Sequence, residues 1–249
     1  MNLEGAKILV TGGCGLIGST TIDQLLANEN PEKIVIFDNL VRGSMRNVQE
    51  ILKDDRVELV KGDIRDQAAI EAATAGMDAV IHMAAIRITA CAAEPREAME
   101  VMCDGTYNVV EAAQKAGVKK VLAASSASIL GMADTFPTTE EHHPYNNRTW
   151  YGASKMMLEG LLRSFNDMYG LDYVAMRYFN VYGPRMDIHT GTVDVEVAHR
   201  DIVEAVHVIK GTQQAFEHHL GCAVPGAVIV RVVLFRRRKG VSHAENGGR

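Results

Sequence analysis

A chain of 249 residues, 47% hydrophobic and 23% charged, can hold one large domain, or one domain and a smaller second, around a substantial core. Its net charge of -5 argues against a dedicated nucleic-acid binder or a partner of anionic membranes. Four scattered cysteines (Cys14, Cys91, Cys103, Cys222) without a C-x-x-C pair fit a reducing compartment better than a zinc site or a disulfide framework.

In chain order, the N-terminus MNLEGAKILV has no basic segment leading into an apolar one, so no export signal is read and a cytoplasmic protein is expected. KILVT at 7–11 predicts a strand, followed by a glycine-rich turn and a helix through Leu25 and Leu26. Further strands are expected from KIVIFD at 33–38, VELVKGD at 57–63, DAVIHMAA at 78–85, KKVLAASS at 119–126 and DYVAMRY at 172–178. Helices fall between them: one around 70–75, one from Gly105 stopped by Gly117, and one carrying Tyr151 and Lys155 with Leu158, Leu161, Leu162 and Phe165 at helical spacing. Strands alternating with helices predict a parallel sheet covered on both faces.

The stretch 132–150, with Pro137 and Pro144, has no sustained periodicity, and a loop of that length inside a domain is read as functional. Beyond Tyr178, a helix is expected over 200–211, a strand over 227–235 and a frayed tail over 242–249. The 227–235 run is broken by Arg231 and too short to span a bilayer, so no membrane partner is expected. His142, His143, His218 and His219 lack metal-site spacing, so no metal is expected, and Arg236 to Lys239 reads as a solvated basic run.

TGGCGLIG at 11–18 places Gly13, Gly15 and Gly18 in a G-x-G-x-x-G pattern, with Gly12 adding a second phase. The pattern follows a predicted strand, opens a helix, and has Asp38 at the end of the next strand, twenty residues beyond Gly18. That context defines a dinucleotide site: glycine lets the backbone approach a pyrophosphate, and the helix N-terminus favours its negative charge. Asp38 would accept hydrogen bonds from the ribose hydroxyls and repel a 2'-phosphate, which favours NAD over NADP.

YGASK at 151–155 puts a phenol and an ammonium on one helical face. A phenol titrates near ~10 and is a poor base at neutral pH, but a neighbouring cation favours the phenolate.

Together with DN at 38–39, GDI at 62–64, HMAA at 82–85, ASSAS at 124–128 and RYFNVYGPR at 177–185, these motifs resemble, in order, the extended short-chain dehydrogenases/reductases. Within them the chain is similar to the NAD-dependent sugar-nucleotide epimerases, over residues 1 to about 186. The resemblance implies an α/β fold, a Rossmann-type doubly wound parallel sheet spanning 1–186, with 187–249 as a truncated or divergent substrate segment. It implies cofactor contacts from Gly12, Gly15, Leu16, Ile17, Gly18, Asp38 and Asn39. Asp63 and Ile64 would flank the adenine; Met83, Ala84, Ala85 and Arg87 would line the cofactor's centre, and Phe179 would lie near the nicotinamide. Ser126, Tyr151 and Lys155 would form the catalytic triad, Lys155 lowering the Tyr151 pKa and binding ribose, while Ser128 and Asn180 would join Ser126 in holding substrate. It also implies a homodimer through a four-helix contact.

The implied reaction is epimerisation of a UDP-linked hexose, at C4, by oxidation to a keto sugar and re-reduction. Ala127 and Ser128 follow Ser126 where dehydratases and decarboxylases of the family place an acid, so redox at one carbon fits better than elimination. Leu130 stands where the family usually has tyrosine, and Met102 where it has asparagine. The alternatives are a reductase or dehydrogenase of the same fold, or a nucleotide-binding remnant with impaired catalysis.

Overall fold

The central strands are mostly apolar, and buried on both sides, because helices cover both faces of the sheet they form. A computed structural model of the chain describes residues 1–132, 147–179, 181, 185 and 233–235. Six strands run parallel: β1 (Lys7–Thr11), β2 (Lys33–Asp38), β3 (Val57–Lys61), β4 (Ala79–His82), β5 (Lys120–Ser126) and β6 (Tyr173–Tyr178). A three-residue β7 (Val233–Phe235) pairs antiparallel with β6, giving the order β3-β2-β1-β4-β5-β6-β7. Chain direction across the sheet reverses between β1 and β4, the place where open α/β sheets leave a crevice beyond the strands' carboxyl ends.

Alternate residues of each strand serve opposite cores. Ile8, Val10, Ile34, Ile36, Ile81, Leu122 and Met176 pack with Ile22 and Leu25 of α1 (Leu16–Asn28) and Val48 of α2 (Met45–Val48). On the other face Leu9, Val35, Val80, Val121 and Ala175 pack with Ile70 of α3 (Gln67–Thr74), Val109 and Ala113 of α6 (Gly105–Lys115), and Leu158, Leu162 and Phe165 of α7 (Trp150–Tyr169). The expected doubly wound sheet is therefore present.

Between β4 and α6 lie α4 (Ile88–Ala93), α5 (Pro95–Met99) and a π-helical stretch, Glu100–Asp104, none of which the apolar spacing predicts. Predicted strands 57–63 and 78–85 are shorter, ending at Lys61 and His82, because the chain there turns out of the ladder into the crevice. Thr149 caps α7, its hydroxyl accepting from the Gly152 N–H, and Gly170, at φ 74°, ends it in the left-handed region that glycine enters freely. The expected helix at 200–211, most of the expected strand at 227–235 and the proposed substrate segment lie outside the described residues.

Candidate active site

The turn from β1 into α1 is shaped by the space its glycines leave. A β-carbon on Gly12, where φ is +69°, would stand 2.7 Å from the Ala84 nitrogen and 2.9 Å from the Met83 carbonyl carbon. One on Gly18 would stand 2.5 Å from the Gly12 oxygen. The backbone of the turn thus lies directly against the end of β4, and Gly12, Gly15 and Gly18 form the working phase, with Gly13 packed on Ile36 below. Gly15 precedes α1 in extended conformation, and no side chain caps that helix or places an acid in its first turn, so the amides around Leu16 and Ile17 face the crevice with their positive polarity intact.

Asp38, at the end of β2, is fixed by two main-chain donors: Cys14 N–H to Oδ2 at 3.0 Å and Leu40 N–H to Oδ1 at 2.8 Å. Each carboxylate oxygen keeps a lone pair for a hydroxyl donor. Gly43 closes over this carboxylate, its missing β-carbon position lying 2.6 Å from Asp38 Oδ1. Asn39 reaches from the same turn to Asp63 Oδ2 at 3.1 Å, and the Arg65 guanidinium grips both Asp63 oxygens, holding that carboxyl well below the usual carboxylate range. The Ile64 side chain packs in the core against Gly105. The crevice thus offers backbone amides for a diphosphate and an anchored acid for ribose, a donor set that fits NAD.

Met83, Ala84 and Ala85 follow β4 and line the crevice, half-buried, whereas Arg87 is exposed at the start of α4 and Phe179 is 42% exposed beyond β6. Asn180 lies outside the described residues. His82 is buried at the end of β4 between the Thr11 and Thr106 hydroxyls, at 2.8 and 3.1 Å. Burial pushes its imidazole down to about 3, so it stays neutral and ties β1, β4 and α6 together.

Ser126, Tyr151 and Lys155 converge as expected. Ser126 lies close enough to the Tyr151 hydroxyl to favour its phenolate, and the Lys155 ammonium lies 5.7 Å from the Tyr151 ring centroid. The expected electrostatics need correction. Burial is the largest influence on Tyr151 and raises its pKa, with Ser126 and the Arg42 cation opposing that rise. Lys155 is itself buried, donates to the Ala124 carbonyl at 2.7 Å, and is pushed down to about 8 by loss of solvent. The ammonium is therefore engaged with the strand. Ser128 donates its N–H to Ser126 Oγ at 3.1 Å, while its own hydroxyl is buried without a partner among the described residues.

Other groups at the site carried no sequence signal. Cys91 of α4 packs beside Tyr151, and Met102 fills the π-helical stretch, its sulfur 3.4 Å from the Ile86 N–H. Glu159, one turn beyond Lys155 on α7, takes two hydrogen bonds from Arg177 and one from Ser125. Among the described residues no three His, Cys, Asp or Glu side chains gather as a metal site, and no helix is long and apolar enough to cross a membrane.

Sheet order and glycine cradle define a Rossmann-fold nucleotide-binding protein, with Ser126, Tyr151 and Lys155 gathered beside the cradle. Residues 8–211 match the NAD dependent epimerase/dehydratase family, and the chain belongs to it. It is 35% identical over 182 residues to a putative UDP-glucose 4-epimerase of Methanocaldococcus jannaschii, covering 72% of this chain and 57% of that protein. Among solved structures it resembles a UDP-N-acetylglucosamine 4-epimerase of Methanobrevibacter ruminantium in complex with UDP-N-acetylmuramic acid (33% identity, TM-score 0.69, 77% of this chain and 60% of that one). It also resembles the Thermus thermophilus UDP-glucose 4-epimerase in complex with NAD (34% identity, TM-score 0.67, 82% and 63%). The chain thus spans about three fifths of the length of these relatives.

Proposed function

We propose that the protein is an NAD-dependent epimerase of a UDP-linked hexose, inverting C4 by oxidation to a 4-keto sugar and re-reduction. The observation that carries this reading is the convergence of Ser126, Tyr151 and Lys155 beside the glycine cradle. NAD, when bound, supplies the acceptor that takes hydride from the sugar carbon and returns it, and its ring cation favours a nearby phenolate.

Tyr151 takes the proton of the reacting sugar hydroxyl and later gives it back, which requires a pKa brought toward working pH. Ser126 donates to the same oxygen and steadies the charge that forms there. Lys155 holds the floor of the site against β5 and offers its remaining N–H groups to ribose. Gly12, Gly15, Leu16, Ile17 and Gly18 hold the diphosphate; Asp38 and Asn39 hold the adenosine ribose, and Asp63 the adenine. Ser128 and Asn180 join Ser126 on the substrate side, with Phe179 near the nicotinamide.

In this reading residues 1–186 form the cofactor-binding and catalytic part, and 187–249 the substrate segment. Pairing of two copies through α6 and α7 is supported by exposed Tyr107 on α6 and Met157 and Met168 on α7. The test is to incubate purified protein with UDP-glucose, and separately UDP-galactose, without added cofactor. Interconversion supports the reading. Bound NAD with no turnover of either sugar overturns it in favour of an impaired nucleotide-binding remnant, and stoichiometric consumption of NADH in favour of a reductase.

A further inference from the structure

Ser126 ends β5 and Tyr151 opens α7, and the residues between them include a turn, Ala127–Leu130, and a long connection. Nothing in either element alone fixes how far the serine stands from the phenol. Asn147 joins the two. Its amide nitrogen donates to the Ser128 carbonyl, nineteen residues earlier, while its amide oxygen accepts from the Thr149 N–H at 2.8 Å and the Thr149 hydroxyl at 3.2 Å. The Thr149 hydroxyl in turn accepts from the Gly152 N–H at 3.0 Å. On the other side the Ser128 N–H donates to Ser126 Oγ, and Ser126 stands beside Tyr151.

We infer that Asn147 is a positioning residue that sets where Ser126 stands relative to Tyr151, by tying the turn after β5 to the cap of α7. The hydrogen bonds run unbroken from Ser126 through Ser128, Asn147 and Thr149 to the first turn of α7. Only a carboxamide serves at the joint, because one end must donate and the other accept. Gly152 belongs to the same device: a β-carbon there would coincide with the Asn147 amide, and the three atoms nearest to it all belong to Asn147.

The consequence is chemical as well as geometric. Ser126 favours the Tyr151 phenolate, against burial and against Cys91 of α4, while Arg42 of the β2–α2 loop acts with Ser126 and Lys155 lies below on α7. Breaking the chain of bonds at Asn147 loosens Ser126, the one of these groups that Asn147 controls.

The kinetic part of the test rests on the epimerase reading; the spectroscopic part does not. Tyr151 ionisation is read as the 295 nm absorbance titration of each protein minus that of its Tyr151→Phe counterpart. Asn147→Ala, Asn147→Asp and Gly152→Ala are each expected to raise the Tyr151 midpoint by about one pH unit. With UDP-hexose, kcat falls about 10- to 100-fold, its pH profile moves to higher pH, and KM stays within about twofold. Gly152→Ala melts no lower than the parent, since alanine favours a helix interior, which separates positioning from loss of fold. The double variant Asn147→Ala/Gly152→Ala is no worse than Asn147→Ala, because both changes break the same joint.

An unchanged Tyr151 midpoint in folded Asn147→Ala, or strictly additive effects in the double variant, overturns the inference. If Asn147→Ala does not fold, Gly152→Ala decides alone. If the parent turns over no UDP-hexose, the epimerase reading fails while the Tyr151 titration still decides the role of Asn147.

Discussion

Glu159 of α7 and Arg177 of β6 meet in the interior through two parallel hydrogen bonds, 2.8 and 2.9 Å, with their side chains about a tenth exposed. Ser125, which pairs with Arg177 across β5 and β6, donates to the same carboxylate at 2.6 Å. The pair pins the helix that bears Tyr151 and Lys155 to the two strands beneath it. Removing one partner strands a buried charge, so Glu159→Gln is expected to cost about 3–5 kcal/mol in urea unfolding, whereas replacing both residues by methionine restores most of that loss. A single variant costing less than about 1 kcal/mol would place the pair with ordinary surface bridges.

Titration of Lys155 gives a second expectation. Its folded pKa, about 8, lies below its ordinary 10.5, so between these values the unfolded chain holds a proton that the folded protein has released. Stability therefore rises with pH across that window, and at pH 7 the cost of the buried charge is fully present. Thermal melts of the ligand-free protein and of Lys155→Met should show the parent gaining on the variant from pH 8 to 10.5. A constant difference in melting temperature would contradict this.

His82 acts on the acid side. Its folded pKa near 3 lies below the ordinary 6.5, so its contribution is present above 6.5 and is lost as pH falls toward 3. His82→Asn should flatten the parent's loss of stability below pH 6.5, measured by the same melts.

Gly18→Ala tests the cradle. The new β-carbon must push on the Gly12 carbonyl, 2.5 Å away, and on the Gly13 α-carbon at 2.7 Å, both backbone atoms that cannot swing aside. NAD affinity, measured by equilibrium dialysis, should fall at least about tenfold, with a stability loss of about 1–3 kcal/mol from overpacking. Unaltered affinity would remove the glycine turn from the binding site.

Tyr151→Phe keeps the ring and its packing on Cys91 but removes the proton acceptor. Epimerisation should fall at least about 100-fold while NAD binding persists, as judged by turnover assays beside dialysis. Full activity in this variant would sink the proposed chemistry.

Much of this was legible in the chain itself. β1 and β2 were predicted to the residue because their apolar runs are bounded by the glycine turn and by charged ends. The strand over 78–85 was overextended because Met83, Ala84 and Ala85 continue its apolar run, although they are half-buried beyond the end of β4. The short helices of 88–99 and the π-helical stretch went unseen because their alternating alanines and charges carry no helical period. Asn147 was invisible for another reason: its partner Ser128 is nineteen residues away, across a connection without periodicity.

Local backbone demands are written in nearest neighbours, so the glycine turn and the placing of Tyr151 and Lys155 on one helical face follow from the sequence alone. The proton affinities of that pair do not. They depend on how deeply each group is buried and on Ser126 and Ala124, which β5 brings beneath α7. Only the packed sheet and helix decide that Lys155 serves the strand while Ser126 serves the phenol, because burial and partners distant in sequence, and not residue type, set a pKa.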